Sequence, residues 1–152
     1  MKVINILTNL LKQICKDNVH NIIYGMDKDH VYITQDRCVA FKIPADKFLI
    51  DLSKALPKKI PIADFDKKFF YDRDSEDAVK TNEIRNISGG HVVKIANNKT
   101  FAWVNEKYLK DFDKDCMFKI VAPKSPVFVY EEDEIVGLIM PVHPAIVEEV
   151  KQ

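Results

Sequence analysis

Glycine and cysteine are scarce in this chain, and their scarcity excludes several classes of functional site. The 152 residues include four glycines and three cysteines. Phosphate-binding loops need glycines at fixed spacing so that the backbone can approach a phosphate, and neither the GxGxxG nor the P-loop pattern is present. Cys15, Cys38 and Cys116 are odd in number and form no CxxC pair, which predicts reduced thiols rather than a disulfide framework.

The chain also lacks a net charge and a long apolar run. Lysine plus arginine total 23, and aspartate plus glutamate also total 23. The whole molecule therefore has no general attraction for nucleic acid or anionic lipid, and binding of either would need a local patch. Polar residues interrupt the N-terminal segment too often for a signal peptide, and no later run could span a bilayer. We expect a cytoplasmic protein without membrane contact.

Catalytic and metal-binding motifs are missing as well. No GxSxG or HExxH pattern occurs, and the four histidines have no spacing suited to a shared metal. The nearest metal candidate approaches the spacing of an EF-hand calcium loop and consists of Asp72, Asp74, Glu76 and Glu83. Asp77 stands where that loop requires glycine, which favours a solvated acidic loop. The sequence predicts no enzyme, no metal and no cofactor.

What the chain does have is enough apolar residues, 47% of the total, to build one core, so we predict a single domain over residues 1–152. Helical spacing predicts a first helix ending near Asn18, with an apolar stripe of Ile4, Leu7, Leu10, Leu11 and Ile14. A second helix is expected from Asn105, its N-cap, to about Asp113, with a stripe of Tyr108, Leu109 and Phe112.

Alternating apolar residues predict strands after each helix. The expected strands cover residues 22–26, 30–35, 38–43, 92–96, 100–104, 117–121, 127–130 and 135–140. Between the two groups we expect a short helix over 46–56 and a largely irregular, charged stretch over 58–90. The predicted fold class is α+β: two repeated units of a helix followed by antiparallel strands, with residues 44–91 inserted and residues 145–152 as a C-terminal extension.

Each main helix carries lysines on the side opposite its apolar stripe. Lys12 and Lys16 lie on a polar face of the first helix, and Lys107, Lys110 and Lys114 recur at helical spacing in the second. Such lysines are ordinarily just solvent-facing side chains. If both helices pack on one face of a continuous sheet, their lysines would form a shared surface able to neutralise phosphates without reading bases.

The second half of the chain resembles a known family. Residues 104–109 lead into a short helix, and residues 117–120, 125–129 and 135–142, ending on Met140-Pro141-Val142, follow in the order and spacing of the closing half of a domain of the bacterial DNA polymerase III beta sliding clamp. The opening, with Leu10-Leu11-Lys12-Gln13 in a first helix before residues 22–43, is similar to the start of that domain. Together these segments cover about two thirds of the chain.

The resemblance implies a DNA-clamp fold whose helices face duplex DNA inside a ring, and an apolar partner cleft formed in part by Met140, Pro141 and Val142. Bacterial clamps carry three such domains per chain, so a ring of this chain would require about six copies joined edge to edge as a homo-oligomer. After His143-Pro144, the extension of residues 145–152 could cover the cleft.

Two hypotheses remain open. The leading one is a non-enzymatic, clamp-like DNA replication accessory protein of a phage or mobile element. It would bind duplex DNA nonspecifically through Lys12, Lys16, Lys107, Lys110 and Lys114, dock replication proteins, or do both. The alternative is a clamp-derived interaction module that mimics or regulates the host replication machinery without binding DNA, which the balanced charge and the C-terminal extension favour.

Overall fold

The computed structural model describes residues 1–16, 22–50, 70 and 74–148. Within these ranges the helices are α1 (Val3–Cys15), α2 (Glu106–Leu109) and α3 (Pro144–Glu148), with a 3₁₀ turn at Ala45–Lys47. The strands are β1 (Tyr24–Met26), β2 (His30–Gln35), β3 (Val39–Pro44), β4 (Glu76–Ile87), β5 (Gly90–Ala96), β6 (Phe101–Asn105), β7 (Met117–Ile120), β8 (Val127–Glu131) and β9 (Glu134–Ile139). No helix in the described ranges is long and apolar enough to cross a membrane.

All nine described strands belong to one antiparallel sheet, in the order β1-β2-β3-β9-β8-β7-β4-β5-β6. The early strands join the late ones directly, because Val39 of β3 pairs with Ile139 of β9. The long strand β4 then connects the two parts of the sheet, since its start pairs with β7 and its later residues pair with β5. Every strand pair is antiparallel, as expected for a chain whose strands are joined largely by short turns.

The predicted fold class, an α+β DNA-clamp-like domain of two repeated helix-plus-strand units with an inserted charged segment, is wrong. The structure is a sheet-rich fold with three short helices in the described ranges. β4 lies inside the stretch predicted to be irregular, and α2 spans four residues. β4 was not predicted as a strand because Ala78 is the one buried residue among its twelve. Its pairing to β5 and β7 holds it as a strand, whereas sequence alternation reports only side chains that reach a core.

The strands predicted from alternating apolar residues are confirmed as β1 to β3 and β5 to β9. The helix predicted over residues 46–56 does not form in its described part. A 3₁₀ turn covers Ala45–Lys47, and residues 48–50 are not helical. Residues 51–56 of that prediction lie outside the described residues. The core that these strands enclose includes fully buried side chains from both ends of the sheet order, among them Phe41, Ile43, Val93, Ile95, Val104 and Ile139.

α1 forms where it was predicted but presents a different face to the core. Ile6, Leu7 and Leu10 are buried, whereas Ile4 is 79% exposed and Leu11 is 42% exposed. The Lys2 backbone N–H donates a hydrogen bond of 2.9 Å to the carbonyl oxygen of Asp111. This contact docks the start of α1 on the turn after α2 and turns Ile6 toward the sheet. A stripe of apolar residues alone does not determine that rotation.

Candidate nucleic-acid interface

Four lysines line one groove between the start of α1 and the turn after α2. The groove has a volume of about 250 Å³, and its lysines are Lys2, Lys80, Lys110 and Lys114. All four are exposed. Two carboxylates, those of Glu106 and Asp113, also line it, and its remaining walls are formed by Leu109, Phe112, Cys116 and Phe118. Two of the lysines predicted to face DNA, Lys110 and Lys114, therefore lie together in the structure.

Three hydrogen bonds hold the groove in shape. The side chain of Asn105 caps α2 by accepting a hydrogen bond of 3.1 Å from the Lys107 backbone N–H. The Lys2 ammonium donates to the carbonyl oxygen of Lys110 at 3.0 Å. This side-chain contact and the backbone contact from Lys2 to Asp111 place the start of α1 directly beside the end of α2. The groove is therefore built from residues more than 100 positions apart in sequence.

The groove has an excess of unneutralised positive charge. Asp113 contacts the N-terminal ammonium of Met1, which also contacts Glu131. The hydrogen bond from this ammonium lowers the pKa of the Asp113 carboxyl. This carboxyl is therefore ionised and is already paired with the ammonium of Met1. In the part of the chain that the structure describes, none of the four groove lysines forms an ion pair with a carboxylate. The ammonium groups of Lys80, Lys110 and Lys114 are therefore available to an external anion, whereas that of Lys2 already donates to the Lys110 carbonyl oxygen.

The other predicted lysines form a second site at the far end of α1. Lys12 and Lys16 line a depression of about 300 Å³ together with Asn9, Gln13, Gln35 and Asp36. Asp36 also faces α2, because its Oδ2 lies 3.6 Å from the Nζ of Lys107. Asp36 and Arg37 have φ angles of 53° and 56° and form the tight turn between β2 and β3. Asp36 thus lies between Lys107 of α2 and the depression that Lys12 and Lys16 line.

The structure adds three basic residues to those predicted from the sequence. Lys2 directly precedes α1, and its position next to the helix could have placed it among the predicted DNA-facing residues. Lys80 lies on β4, in the stretch predicted to be irregular, so no local signal placed it near α2. Arg37 is exposed in the turn beside Asp36. All five predicted lysines are exposed, and Lys2 and Lys80 join two of them in the groove.

An acidic depression of about 470 Å³ borders the lysine groove, and Asp113 lines both. Its carboxylates are Asp113, Asp115, Glu131, Glu132 and Glu134. Positive and negative surfaces therefore meet at Asp113. A polyanion that enters the groove is repelled from this side, which restricts the direction in which it can run.

The predicted partner segment lies across the sheet. The Met140 N–H donates to the carbonyl oxygen of Cys38, and the Val142 N–H donates to that of Trp103, both at 2.7 Å. Val142 packs with Trp103 and with Val147 of α3. Met140 keeps 40% of its surface exposed, whereas Pro141 and Val142 are half-buried. Of the three residues, Met140 is the one that presents its side chain most freely. Val147 of the extension contacts Trp103, and residues 149–152 lie outside the described residues.

The groove contains no activated nucleophile among its described residues. Burial raises the pKa of the Cys116 thiol to about 11, with a further contribution from Glu131, so this thiol is protonated at neutral pH. Burial also raises the pKa of Tyr108, which is hydrogen-bonded to Cys38.

The calcium candidate is not assembled in the described part of the chain. Glu76 contacts Lys99, and Glu83 lies 2.7 Å from Lys94. Asp72 is outside the described residues. Elsewhere in the described ranges, no cluster of three or more histidine, cysteine, aspartate or glutamate side chains could hold a metal ion.

No protein family, curated protein or solved structure matches this chain.

Proposed function

We propose that this protein binds duplex DNA through the phosphate backbone, without reading base sequence and without catalysing a reaction. One observation carries the proposal: Lys2, Lys80, Lys110 and Lys114 line a single groove, and in the described structure none of them forms an ion pair with a carboxylate, although Asp111 and Asp113 attract Lys2 at longer range. Ammonium groups that neutralise phosphates release condensed counterions, which favours binding to any DNA sequence. Lysine is also a flexible point charge rather than a planar fork, so it suits phosphate contact better than base readout.

The spacing of the two basic sites supports a duplex as the ligand. The groove lies at the start of α1 and the depression with Lys12 and Lys16 lies at its end. A helix of 13 residues is about 20 Å long. That length is roughly half of one helical turn of B-DNA. A duplex lying along α1 could therefore present phosphates to both sites.

DNA replication is the process in which we place this contact. The likeness of residues 104–142 to sliding-clamp sequence supports this setting. Lys107, Lys110 and Lys114 lie within that stretch, and two of them line the groove. The contact needs no ring, because a single chain presents both basic sites.

The proposal is tested by fluorescence anisotropy with a labelled duplex of about 25 base pairs at ~50 mM and ~200 mM salt. The four groove lysines alone predict that log K falls against log salt with a slope of about −3.6, because each contact contributes about −0.9, and contacts from Lys12 and Lys16 make the slope steeper. The double variant Lys110→Glu, Lys114→Glu should reduce this slope by about 2 and weaken binding at low salt. Duplexes of unrelated sequence should bind the wild type with the same affinity.

A matched control separates the groove from the overall charge. Lys28→Glu with Lys124→Glu changes the net charge by the same amount, at two exposed residues without an ion pair in the described structure. Lys28 lies at the opposite end of β2 from Asp36, and Lys124 lies beyond the end of β7 that is distant from Cys116. The control should bind DNA as the wild type does. Equal losses in both double variants, or no wild-type binding at roughly 100 µM in low salt, would contradict the proposal.

Protein docking without DNA is the second candidate, and the exposure of Met140 favours it. Met140 and Ile146 are 40% and 47% exposed, so these two residues present apolar side chains to solvent. Exposed methionine is common at adaptable binding surfaces. Pull-down with purified clamp and clamp-loader subunits tests this candidate. Capture by the wild type, loss of capture with Met140→Asp, and no affinity for DNA would favour docking over the DNA-binding function.

A further inference from the structure

The lysine groove has apolar walls between its charged residues, and a DNA duplex leaves these walls uncovered. Leu109 and Cys116 are half-buried, and they line the groove together with the buried rings of Phe112 and Phe118. A duplex that is bound through its backbone presents phosphates and sugars to the protein. Phosphate contact therefore accounts for the lysines of the groove and leaves its apolar walls without a role.

The positive charges come to the groove from two separate segments of the chain. Ala78 of β4 pairs with Phe118 of β7, and β4 continues past this pair to Lys80. Lys110 and Lys114 belong to the segment that follows α2. A ligand that fills the apolar walls therefore has ammonium groups from both segments beside it.

The groove is large enough for one side chain. Its volume of about 250 Å³ is below the roughly 300–1,000 Å³ of sites that enclose a small-molecule ligand. One aromatic or large aliphatic side chain can enter it while the backbone that carries this side chain stays outside, at the level of the lysines. An extended peptide has this shape.

The unpaired charges of the groove favour an acidic peptide. In the described ranges, Lys80, Lys110 and Lys114 form no ion pair with a carboxylate. The Asp113 carboxyl is occupied by the N-terminal ammonium, and the remaining carboxylate of the groove is that of Glu106. Three ammonium groups thus face one available carboxylate, and this excess attracts aspartate and glutamate side chains.

We propose that the lysine groove binds an acidic peptide segment of a partner protein. One apolar side chain of that segment enters between Leu109 and Cys116. Its carboxylates pair with Lys80, Lys110 and Lys114, so the peptide and a DNA duplex compete for the groove. The peptide site does not depend on the proposed DNA-binding function, because the apolar walls contribute to peptide binding alone.

Fluorescence anisotropy with a labelled synthetic peptide tests the proposal. The probe carries one phenylalanine flanked on both sides by aspartates, and it should bind with a Kd below about 100 µM at ~50 mM salt. Alanine in place of the phenylalanine should weaken binding about tenfold, because the apolar walls are then left unfilled. Asparagines in place of the aspartates should abolish binding. Absence of binding by the first peptide, or equal affinity of the phenylalanine and alanine peptides, overturns the proposal.

A variant of the apolar wall separates the peptide from DNA. Leu109→Ser should weaken binding of the phenylalanine peptide about fivefold and leave the affinity for duplex DNA unchanged, whereas Lys110→Glu with Lys114→Glu should weaken both. The control Lys28→Glu with Lys124→Glu should bind the peptide as the wild type does. Peptide binding without duplex binding in the wild type contradicts the proposed function and supports this site. Equal losses of peptide and duplex affinity in Leu109→Ser overturn the peptide site.

The thiol of Cys116 reports occupancy of the groove in the unmodified chain. Saturating phenylalanine peptide should slow alkylation of Cys116 by iodoacetamide at least about fivefold, as measured by mass spectrometry. Cys15 is exposed at the end of α1 and is the internal control, so its alkylation rate should not change. An unchanged rate at Cys116 overturns the proposal. So does protection of Cys116 by single-stranded oligothymidine and not by the peptide, because the apolar walls would then bind bases.

Discussion

Gly137 lies against the ring of Phe112 so closely that no side chain fits between them. A Cβ at Gly137 would stand 2.6 Å from the Cε1 and Cζ atoms of Phe112 and 2.9 Å from the carbonyl oxygen of Ala40. Phe112 itself is 1% exposed and packs on Phe41, with ring centroids 5.4 Å apart. The contact joins β9 to the turn after α2, and that turn forms one wall of the lysine groove.

Gly137→Ala should therefore destabilise the protein by about 2–4 kcal/mol, because the backbone of β3 cannot move away from the new methyl group. Urea unfolding followed by circular dichroism measures the change. Gly89→Ala is the control, since a Cβ there meets nothing within 4 Å, and its effect should stay within about 0.5 kcal/mol. Adding Phe112→Leu to Gly137→Ala should recover part of the loss; equal effects of the two glycine substitutions would contradict the close contact.

Asp111 should make stability depend on pH in the direction opposite to that of a paired carboxylate. Asp111 is 6% exposed, and burial raises its pKa above the ordinary 3.8, while Lys2 opposes the shift. Between pH 3.8 and the raised pKa, the native state binds more protons than the unfolded state, so this residue reduces stability as pH rises. Asp111→Asn should be more stable than the wild type at neutral pH, and the advantage should vanish near pH 3.5 in chemical denaturation. A pH-independent difference would count against this assignment.

Val147 should anchor α3 to the sheet. Its side chain is 1% exposed and packs with Val92 and with Trp103, the only tryptophan in the chain. Val147→Ala should lower the free energy of unfolding by about 1–2 kcal/mol and shift Trp103 emission to longer wavelength. Ile146→Ala, at a neighbouring residue that is 47% exposed, is the control. An unchanged emission spectrum in Val147→Ala would show that α3 does not shield Trp103.

The α2 cap should link stability to DNA binding. Asn105→Ala removes the acceptor for the Lys107 N–H, and loss of an N-cap side chain costs about 1 kcal/mol. Because α2 carries Lys107 and positions Lys110, DNA affinity at low salt should also fall, by about two- to threefold. Asn105→Ser keeps an oxygen acceptor and should retain both properties. Thermal unfolding and anisotropy measured on the same samples test the link; a loss of stability with full DNA affinity would separate the cap from the basic surface.

The sequence predicted those parts of the protein that are specified by residues close together in the chain. Val31 and Ile33 alternate with neighbours in β2, and Asn105 precedes a short amphipathic segment, so strands and the α2 start could be located from residues close together. Helical spacing likewise located Lys12 on α1 and Lys107 on α2, but Lys110 and Lys114 lie after α2, which ends at Leu109 rather than near Asp113 as predicted. The predicted role of Met140, Pro141 and Val142 depended on resemblance alone and stays a prediction.

Only the tertiary structure decided how these local elements combine. β4 became a strand through pairing with β5 and β7, although Ala78 is its single buried residue. Hydrogen bonds from Lys2 to Lys110 and Asp111 determine the rotation of α1 and bring its start beside the turn after α2, where the groove forms. These contacts join residues far apart in sequence, and no periodicity within one segment can report them. The sequence therefore determined which lysines are exposed, whereas the fold determined which of them share one surface.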